Sequence, residues 1–393
     1  MSAELPERRV ALTGVGMSEV GRRLPHTGMR LACESIQAAV TDAGLTMADI
    51  DGIATFPGPT LEYLPGFVGP DIWCVADALR IRPSWHQANF QGSAQLGPIF
   101  ATILAVAAGL CRHAVVYRTT TEGSGQAGGP RQGMLADFDA AAPPYDFLSA
   151  VGAVSPVSQF AFFAQRYMHE YGLTREQLAS VALTHRAHAA LNPWAVLTAP
   201  LTLDDYLSAR MISSPLCLLD CDLPVDASTA FVVSAIDTAA DLRAPVRVEA
   251  IATALRGRLM WTEWEDMTTM ACHTLAPQLW SRTDLGPADI DTAQLYDGFS
   301  IITLMWLEAL GLCDRGEAGT FVAEGHTQLG AALPTNTWGG QLSAGRIHGF
   351  GYPAEAIRQV RGEAGQRQVP GAQVAAVGVG GAHFGGAMLV TAW

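Results

Sequence analysis

The sequence has few charged residues, and positive charge is the scarcer sign. Only 16% of the 393 residues are charged, and 37 acidic residues against 24 basic ones give a formal net charge of −13. A protein that binds nucleic acid nonspecifically needs a basic surface, so this balance argues against that class. Any anionic ligand would have to bind at a local basic patch.

Cysteine is also scarce and scattered. The seven cysteines include one close pair, Cys217 and Cys221 in the segment CLLDC, and no second pair follows it. Structural zinc sites usually take their ligands from two such pairs. We therefore expect buried or incidental thiols and no metal site.

The sequence lacks a hydrophobic run long enough to span a membrane. Its most apolar stretch, residues 96–110, is shorter than the roughly 20 residues that a span needs, and it contains a proline and two glycines. This stretch predicts a buried core helix. The polar N-terminal segment MSAELPERRV has no signal-peptide pattern, so we expect a soluble, cytoplasmic protein.

Apolar residues and glycine are abundant. Hydrophobic residues make up 49% of the chain, which also has 40 glycines and a mean hydropathy of +0.19. This composition is typical of a compact α/β enzyme with a large core and is unlike that of a disordered protein.

A faint internal repeat divides the chain. The tetrapeptide ADID occurs at 48–51 and again at 288–291, each time after a helical pattern and before a strand-like run. Another strand candidate lies upstream of each copy, at a similar distance. This order predicts two β-α-β halves, residues 1–240 and 241–393. Because strands alternate with helices, the sheets should be mixed and largely buried.

Residues 118–225 have no counterpart in the second half. We interpret them as an insertion over one face, a usual place for substrate contacts. The sequence pattern within this insertion predicts a pair of helices. The second helix should begin at a capping box formed by Thr174 and Gln177. His185 and His188 lie on that second helix. With no third metal ligand in view, we expect both at the surface.

Three segments of the second half carry the functional information. Residues 295–300, LYDGFS, place a tyrosine at the end of a predicted strand and before the apolar run IITLMWLEALGLC. The segments NTWGGQLSAGRIHG, from Asn336, and GVGGAHFGG, from Gly378, are rich in glycine. From the residues alone, Tyr296 is either a packing side chain or a catalytic hydroxyl.

Together these segments resemble the thiolase superfamily and, within it, the sterol-carrier or lipid-transfer group. The likeness spans nearly the whole chain. It implies an α/β thiolase fold, in which two pseudo-repeated βαβαβαββ halves form a five-layer αβαβα arrangement with an insertion over the active site. It also implies a homodimer.

The chain departs from the thiolase pattern at the positions that perform acyl transfer. The nucleophilic cysteine of a thiolase sits at a helix N-terminus, where aligned N–H groups stabilise the thiolate. That position corresponds to Asn89, and residues 86–95 contain no cysteine. Tyr296 and Arg346 stand where thiolases have histidines, and the late catalytic cysteine is absent. We therefore do not expect covalent acyl transfer by the standard mechanism.

These departures resemble bacterial steroid side-chain aldolases, which cleave a β-hydroxyacyl-CoA by a retro-aldol reaction into a ketone or aldehyde and a shorter acyl-CoA. On this hypothesis Tyr296 transfers a proton, and Arg346 supplies a positive charge that would lower the tyrosine pKa from about 10. The resemblance implies further site residues: His348 as an acid, base or enolate donor, His383 in the glycine-rich turn, Asp297 as an orienting carboxylate, Gly380 and Gly381 as backbone donors to the reacting carbonyl, and Asn89 in the substrate pocket.

Two alternatives stay open on the residues. One is an acyltransferase or condensing enzyme that works without the usual cysteine, and the other is a noncatalytic subunit that binds acyl-CoA or lipid. The compared aldolases tend to have a tyrosine where this chain has Arg346, and Tyr352, six residues further on, could take its place in space. We expect coenzyme A as part of the substrate and no other cofactor. The resemblance also implies a separate small zinc-ribbon and OB-fold partner protein.

Overall fold

The computed structural model describes residues 5–58, 65–88, 94–126, 148, 150–153, 155–257 and 264–393. Within these ranges the strands are β1 Val10–Met17, β2 Gly52–Thr55, β3 Trp85–Ala88, β4 His113–Thr121, β5 Met211–Ser213, β6 Leu216–Cys217, β7 Asp226–Ala235, β8 Val246–Leu255, β9 Thr292–Leu295, β10 Val374–Gly381 and β11 Phe384–Ala392. The helices are α1 Gly28–Asp42, α2 Ile72–Leu79, α3 Gly97–Ala107, α4 Glu122–Gly125, α5 Pro156–Tyr171, α6 Arg175–Ala189, α7 Leu203–Ser208, α8 Ile236–Ala239, α9 Ala271–Trp280, α10 Ser300–Ala309, α11 Ala318–Ala323 and α12 Gly351–Arg361.

Nine strands form one mixed sheet, in the order β3-β2-β4-β7-β1-β8-β11-β10-β9, while β5 and β6 form a separate pair. The neighbours β2, β4, β7 and β1 recur as β9, β10, β11 and β8. In each set the first two strands are parallel and the later pairs are antiparallel. The two sets meet where Leu12 of β1 pairs with Val246 of β8.

Helices cover both faces of each half of the sheet. Because strand side chains alternate in direction, each strand contributes apolar residues to both faces. In β4, Ala114 and Val116 join a core with α3 and α12, whereas Val115 and Tyr117 pack with α1 and α2. Strands β10 and β11 share the α3 and α12 core on one face and pack against α9 and α10 on the other. The layers are therefore helix, sheet, helix, sheet, helix, which confirms the predicted fold class.

Helix α3 lies in the middle layer. Its side chains Ile99, Phe100 and Ile103 are buried between the two halves of the sheet. The prediction that residues 96–110 form a buried core helix is confirmed. No helix in the described part of the chain is long and apolar enough to cross a bilayer.

The insertion places helices α5 to α7 and the β5–β6 pair over the second half. Helix α6 begins at the predicted capping box, in which Thr174 and Gln177 exchange hydrogen bonds of 3.0 and 3.2 Å. The surface placement predicted for His185 and His188 is wrong, because they are only 2% and 3% exposed. Helix α6 packs against α7, α10, α11 and the π-helical turn Gly340–Ala344, and both histidines face these neighbouring segments instead of solvent.

Candidate active site

Tyr296 is fixed at the carboxyl end of β9. Its N–H donates to the Gly378 carbonyl on β10 at 2.8 Å, which extends the parallel pairing by one residue. The Asn336 side chain bonds both the N–H and the carbonyl of Leu295, each at 2.7 Å. A side chain at Gly298 would place its Cβ 2.7 Å from the Tyr296 ring, so the ring can fold over this turn only because residue 298 is glycine.

Asp297 ties this turn to the glycine-rich segment and to helix α6. Its buried carboxylate accepts the N–H of Gln341 at 2.8 Å and the hydroxyl proton of Tyr352. Nδ1 of His185 lies 2.8 Å from the other carboxylate oxygen. Gly340 leaves space for this arrangement, since a Cβ there would lie 2.0 Å from the carboxylate. Asp297 therefore orients several neighbours rather than the single one that a turn residue would.

Arg346 forms a buried ion-pair network with two carboxylates from the first half. Its guanidinium lies 2.5 Å from Glu122 and 3.2 Å from Asp222. The Asp222 N–H donates to the Gly298 carbonyl at 3.2 Å, which places this carboxylate beside the Tyr296 turn. Burial works against the charged form of Arg346, but Asp222 and Glu122 together raise its pKa above the ordinary value. The guanidinium stays charged and already has two partners.

The electrostatics favour the neutral phenol of Tyr296. Burial raises the pKa of Tyr296 well above its ordinary value, and the Asp222 charge raises it further. Arg346 and the Gln341 side chain act in the opposite direction and do not reverse the shift. The structure thus differs from the expectation that Arg346 would bring the tyrosine pKa below its ordinary value, because burial and the Asp222 charge outweigh the effect of Arg346.

His348 lies next to this cluster in a strained backbone conformation, with a φ of 46°. Its ring stacks on Phe56 at a centroid distance of 5.7 Å and meets Phe67 edge-on at 4.7 Å. Burial lowers the pKa of His348 well below its usual value, and the charges of Arg118 and Arg346 lower it further. The imidazole is neutral at pH 7, and its buried Nδ1 has no hydrogen-bond partner within the described ranges.

Gly380, Gly381 and His383 lie at the turn between β10 and β11, beyond the point where β10 accepts the Tyr296 N–H. Gly380 has a φ of 102°, and a Cβ there would lie 2.8 Å from Ala94, which precedes α3. Gly381 pairs with Phe384 across the turn. The His383 carbonyl accepts the Arg256 N–H at 2.6 Å, and burial lowers the pKa of the His383 imidazole. Asn89, predicted for the substrate pocket, lies outside the described residues.

Several polar residues at this site were not among the predicted ones. Glu122 follows the end of β4, while Asp222 precedes β7 and contacts the LYDGFS turn. Both carboxylates lie near strand ends, where ligand sites of α/β sheets collect, and this position is a signal that the sequence offered. Gln341 and His185 had no such signal, because only the folded chain brings them beside Tyr296 and Asp297.

The site therefore combines a neutral phenol, a neutral imidazole and a paired guanidinium. Such a set can donate and accept protons and can orient a polar substrate. The mixed sheet, with helices between its halves and on both outer faces, defines a protein of the thiolase class.

Comparison with known proteins narrows this class. Residues 255–391 match the family Thiolase C-terminal domain-like. A steroid side-chain-cleaving aldolase of Thermomonospora curvata is 36% identical, with 90% of each chain covered. A 17-hydroxy-3-oxo-4-pregnene-20-carboxyl-CoA lyase of Mycobacterium tuberculosis is 34% identical, over 90% of this chain and 92% of its own.

Comparison with solved structures leads to the same group of proteins. The structure of an Ltp2-ChsH2(DUF35) aldolase matches with a TM-score of 0.88 and 33% identity, and 99% of both chains is covered. Human mitochondrial 3-ketoacyl-CoA thiolase has a TM-score of 0.69 at 12% identity, which shows the shared fold alone. The chain belongs to the thiolase superfamily, in the family that includes the steroid side-chain-cleaving aldolases.

Proposed function

We propose that this protein is a retro-aldolase that cleaves a β-hydroxyacyl-CoA, derived from a steroid side chain, into a ketone or aldehyde and a shorter acyl-CoA. The observation that carries the proposal is the match to an aldolase and a CoA lyase over nine-tenths of the chain. Tyr296, which stands where thiolases have a histidine, supports the same reaction, whereas Arg346 is a departure from the compared aldolases.

The reaction needs one proton acceptor and one proton donor. The β-hydroxyl loses its proton, the Cα–Cβ bond breaks, and the hydroxyl carbon becomes the new carbonyl. The bonding electrons pass to the thioester as an enolate, which is then protonated at Cα. Tyr296 is the donor on this proposal, because burial raises its pKa and keeps it protonated. His348 is the acceptor on this proposal, since its imidazole is neutral and its buried Nδ1 has no hydrogen-bond partner among the described residues.

The amino-acid composition decides whether this chain could use the lysine-based mechanism of other aldolases. All 24 residues counted as lysine or arginine are arginine, so the chain offers no lysine for a Schiff base. Three of the seven cysteines give no support to the acyltransferase alternative, because burial raises the pKa of Cys111, Cys272 and Cys313 to about 12 and keeps these thiols protonated. The proposed mechanism therefore has no covalent intermediate, and coenzyme A enters only as part of the substrate.

We also propose two kinds of assembly in the cytoplasm. A separate zinc-ribbon and OB-fold protein is the proposed partner, and the likeness to the Ltp2-ChsH2(DUF35) aldolase, whose name joins two components, supports a complex of this type. A homodimer is supported by the sheet edges: β9 is covered by a bridge from Ala293 to Thr335, whereas β3 pairs only with β2 among the described strands. An edge strand with no partner on one side among the described residues can pair with another chain.

The test is an assay of the chain, alone and co-expressed with a DUF35-type protein encoded beside it, on a panel of β-hydroxyacyl-CoA thioesters. We expect a shorter acyl-CoA and a ketone or aldehyde in equal amounts, measured by liquid chromatography and mass spectrometry. An acyl-enzyme detected by intact-protein mass spectrometry would instead support the acyltransferase. Tight binding without turnover by either preparation would support the noncatalytic subunit.

A further inference from the structure

His185 connects the insertion to the candidate site. It is a buried residue of helix α6, and its Nδ1 lies 2.8 Å from a carboxylate oxygen of Asp297. The Asp297 side chain has no exposed surface, so the hydrogen bond between them is shielded from water. The pair joins positions 112 residues apart in the chain, and Asp297 directly follows Tyr296. The insertion therefore contacts the residue next to the proposed proton donor.

The shared proton of this pair belongs to His185. The Gln341 N–H donates to one carboxylate oxygen of Asp297 at 2.8 Å, and the Leu342 N–H donates to the other at 3.3 Å. Both oxygens are thus acceptors, and an ionised carboxylate has no proton to give. Nδ1 of His185 is then the donor, which fixes the tautomer and the orientation of the imidazole.

The Asp297 carboxylate in turn fixes Tyr352. The Tyr352 hydroxyl accepts the Asp297 N–H at 3.0 Å and donates its own proton to the carboxylate. Because its single proton is used in this way, Tyr352 is not a free acid. Its ring lies beside that of Tyr296, with the two centroids 5.8 Å apart, a distance at which aromatic rings attract each other. Tyr296 is therefore held through its neighbour in the chain and through the Tyr352 ring.

The His185 bond secures one side of this carboxylate. The oxygen that faces His185 has one other donor among the described residues, the Leu342 N–H at the longer distance of 3.3 Å. The terminal torsion of an aspartate side chain is broad and has no strong preference of its own. Without His185, the carboxylate can rotate away from Tyr352, and the ring that packs against Tyr296 loses its anchor.

We propose that His185 is a positioning residue through which the insertion holds Tyr296 in place for proton transfer. It acts through Asp297 and Tyr352. The proton transfer rests on the proposed retro-aldol function, whereas the hold on the Tyr296 ring does not depend on it. Two substitutions separate the hydrogen bond from packing. His185→Asn places an amide N–H close to the position of Nδ1 and can keep the donation, while His185→Leu fills the space without a donor.

The hold on Tyr296 can be tested without turnover. We would place 3-fluorotyrosine at position 296 of the full chain and record its fluorine NMR resonance, which depends on the surroundings of the ring. We expect His185→Leu to shift and broaden this resonance, and His185→Asn to keep it close to that of the parent. His185→Phe, a planar ring without a donor, serves if the leucine variant does not fold. An unchanged resonance in the donor-free variant, or an equal change in His185→Asn, would overturn the proposal.

The matched control is Tyr167→Phe. Tyr167 is another fully buried side chain of the insertion, on helix α5, and its hydroxyl donates to the buried carboxylate of Glu308 on α10. Its removal breaks a bond of the same kind, between the insertion and the second half, that does not involve Asp297. This variant should lose stability and keep the fluorine resonance at position 296. A change as large as that in His185→Leu would show that any loosening of the insertion has the same effect, and the specific role of His185 would be refuted.

A kinetic measurement tests the consequence for catalysis. We expect His185→Leu to lower kcat by about tenfold or more with little change in KM, because a small misplacement of a reacting group slows the chemical step more than binding. His185→Asn should recover most of kcat, and Tyr167→Phe should retain it. If the parent cleaves no thioester, the proposed function fails, while the fluorine spectra still decide whether His185 positions Tyr296. In an active enzyme, an unchanged kcat in His185→Leu would refute the positioning role.

Discussion

The guanidinium of Arg346 lies 2.5 Å from the carboxylate of Glu122, and this pair joins positions 224 residues apart. Glu122 is completely buried and belongs to the first half, whereas Arg346 belongs to the second. The pair therefore connects the two halves directly at the candidate site. Arg346 therefore stabilises the packing of the two halves at the site and also contributes positive charge near Tyr296.

We expect Arg346→Met to destabilise the protein by about 3–5 kcal/mol, because it leaves Glu122 and Asp222 buried without their shared cation. The free energy of unfolding in urea measures the effect. The control is Arg243→Met, since Arg243 pairs with Asp42 and Glu363 while its side chain is 60% exposed. That change should cost at most about 1 kcal/mol. Equal losses in the two variants would show that the buried network contributes no more than a surface pair.

Tyr296→Phe should lower turnover at least about tenfold, equivalent to about 1.4 kcal/mol in the activation barrier, with little effect on KM. The reason is that phenylalanine keeps the packing of the ring and removes only the hydroxyl. Steady-state kinetics on an accepted β-hydroxyacyl-CoA measures the change. Tyr117→Phe is the control, because Tyr117 is a buried tyrosine on the outer face of β4 that donates to the Pro70 carbonyl. Full activity in Tyr296→Phe would rule out the proposed proton transfer.

Much of the fold follows from local patterns in the sequence. The ADID repeat marks equivalent points before β2 and β9, and the apolar run at 96–110 forms the central helix α3. These features depend on neighbours along the chain, on turn chemistry and on periodicity. The motif LYDGFS also places Tyr296 at the end of β9, because an Asp-Gly turn after a short apolar run ends a strand.

The partners of the site residues could not be predicted in the same way. Arg346 reaches Glu122, and Asp297 reaches His185, only after distant segments have packed together. The burial of His185 and His188 depends on the second half closing over helix α6, and the helix sequence carries no sign of that cover. Charge and polarity alone place such residues at the surface, which is correct for an isolated helix and wrong here.

Asp297→Asn should reduce both stability and turnover. An asparagine can keep one acceptor oxygen for the Gln341 N–H and the Tyr352 hydroxyl, but its NH2 group would then face His185 Nδ1 and the Leu342 N–H, which now lie on the other carboxylate oxygen. We expect a loss of about 1–3 kcal/mol in the free energy of unfolding and slower turnover, because the Tyr296 turn loses its tie to the glycine-rich segment.

The control for this prediction is Asp291→Asn. The Asp291 carboxylate also accepts two backbone N–H groups, from Gln373 and Val374 at 2.7 and 2.9 Å, but it lies at the opposite end of β9. This variant should lose stability and retain turnover. If both variants lost turnover in proportion to stability, Asp297 would have no specific role in the site.

His188 should make the protein sensitive to acid. Burial and, to a smaller extent, the neighbouring His185 lower the pKa of His188 to about 4 from its usual 6.5. The unfolded chain therefore takes up this proton near pH 6.5, whereas the folded chain takes it up only near pH 4. Stability is fully present above pH 6.5 and falls as the pH drops toward 4, by about 3 kcal/mol from this group.

Hydrogen bonds explain why the neutral ring is preferred, and they suggest the variant that tests it. Nδ1 lies 3.2 Å from the Asn336 carbonyl and donates to it, while Nε2 accepts the Leu329 N–H at 3.1 Å, so protonation of Nε2 would break the second bond. Glutamine can supply one donor and one acceptor but cannot titrate. Urea unfolding at several pH values between 7 and 4 should show a smaller loss of stability in His188→Gln than in the parent. Parallel curves for the two proteins would mean that His188 already titrates normally in the folded chain.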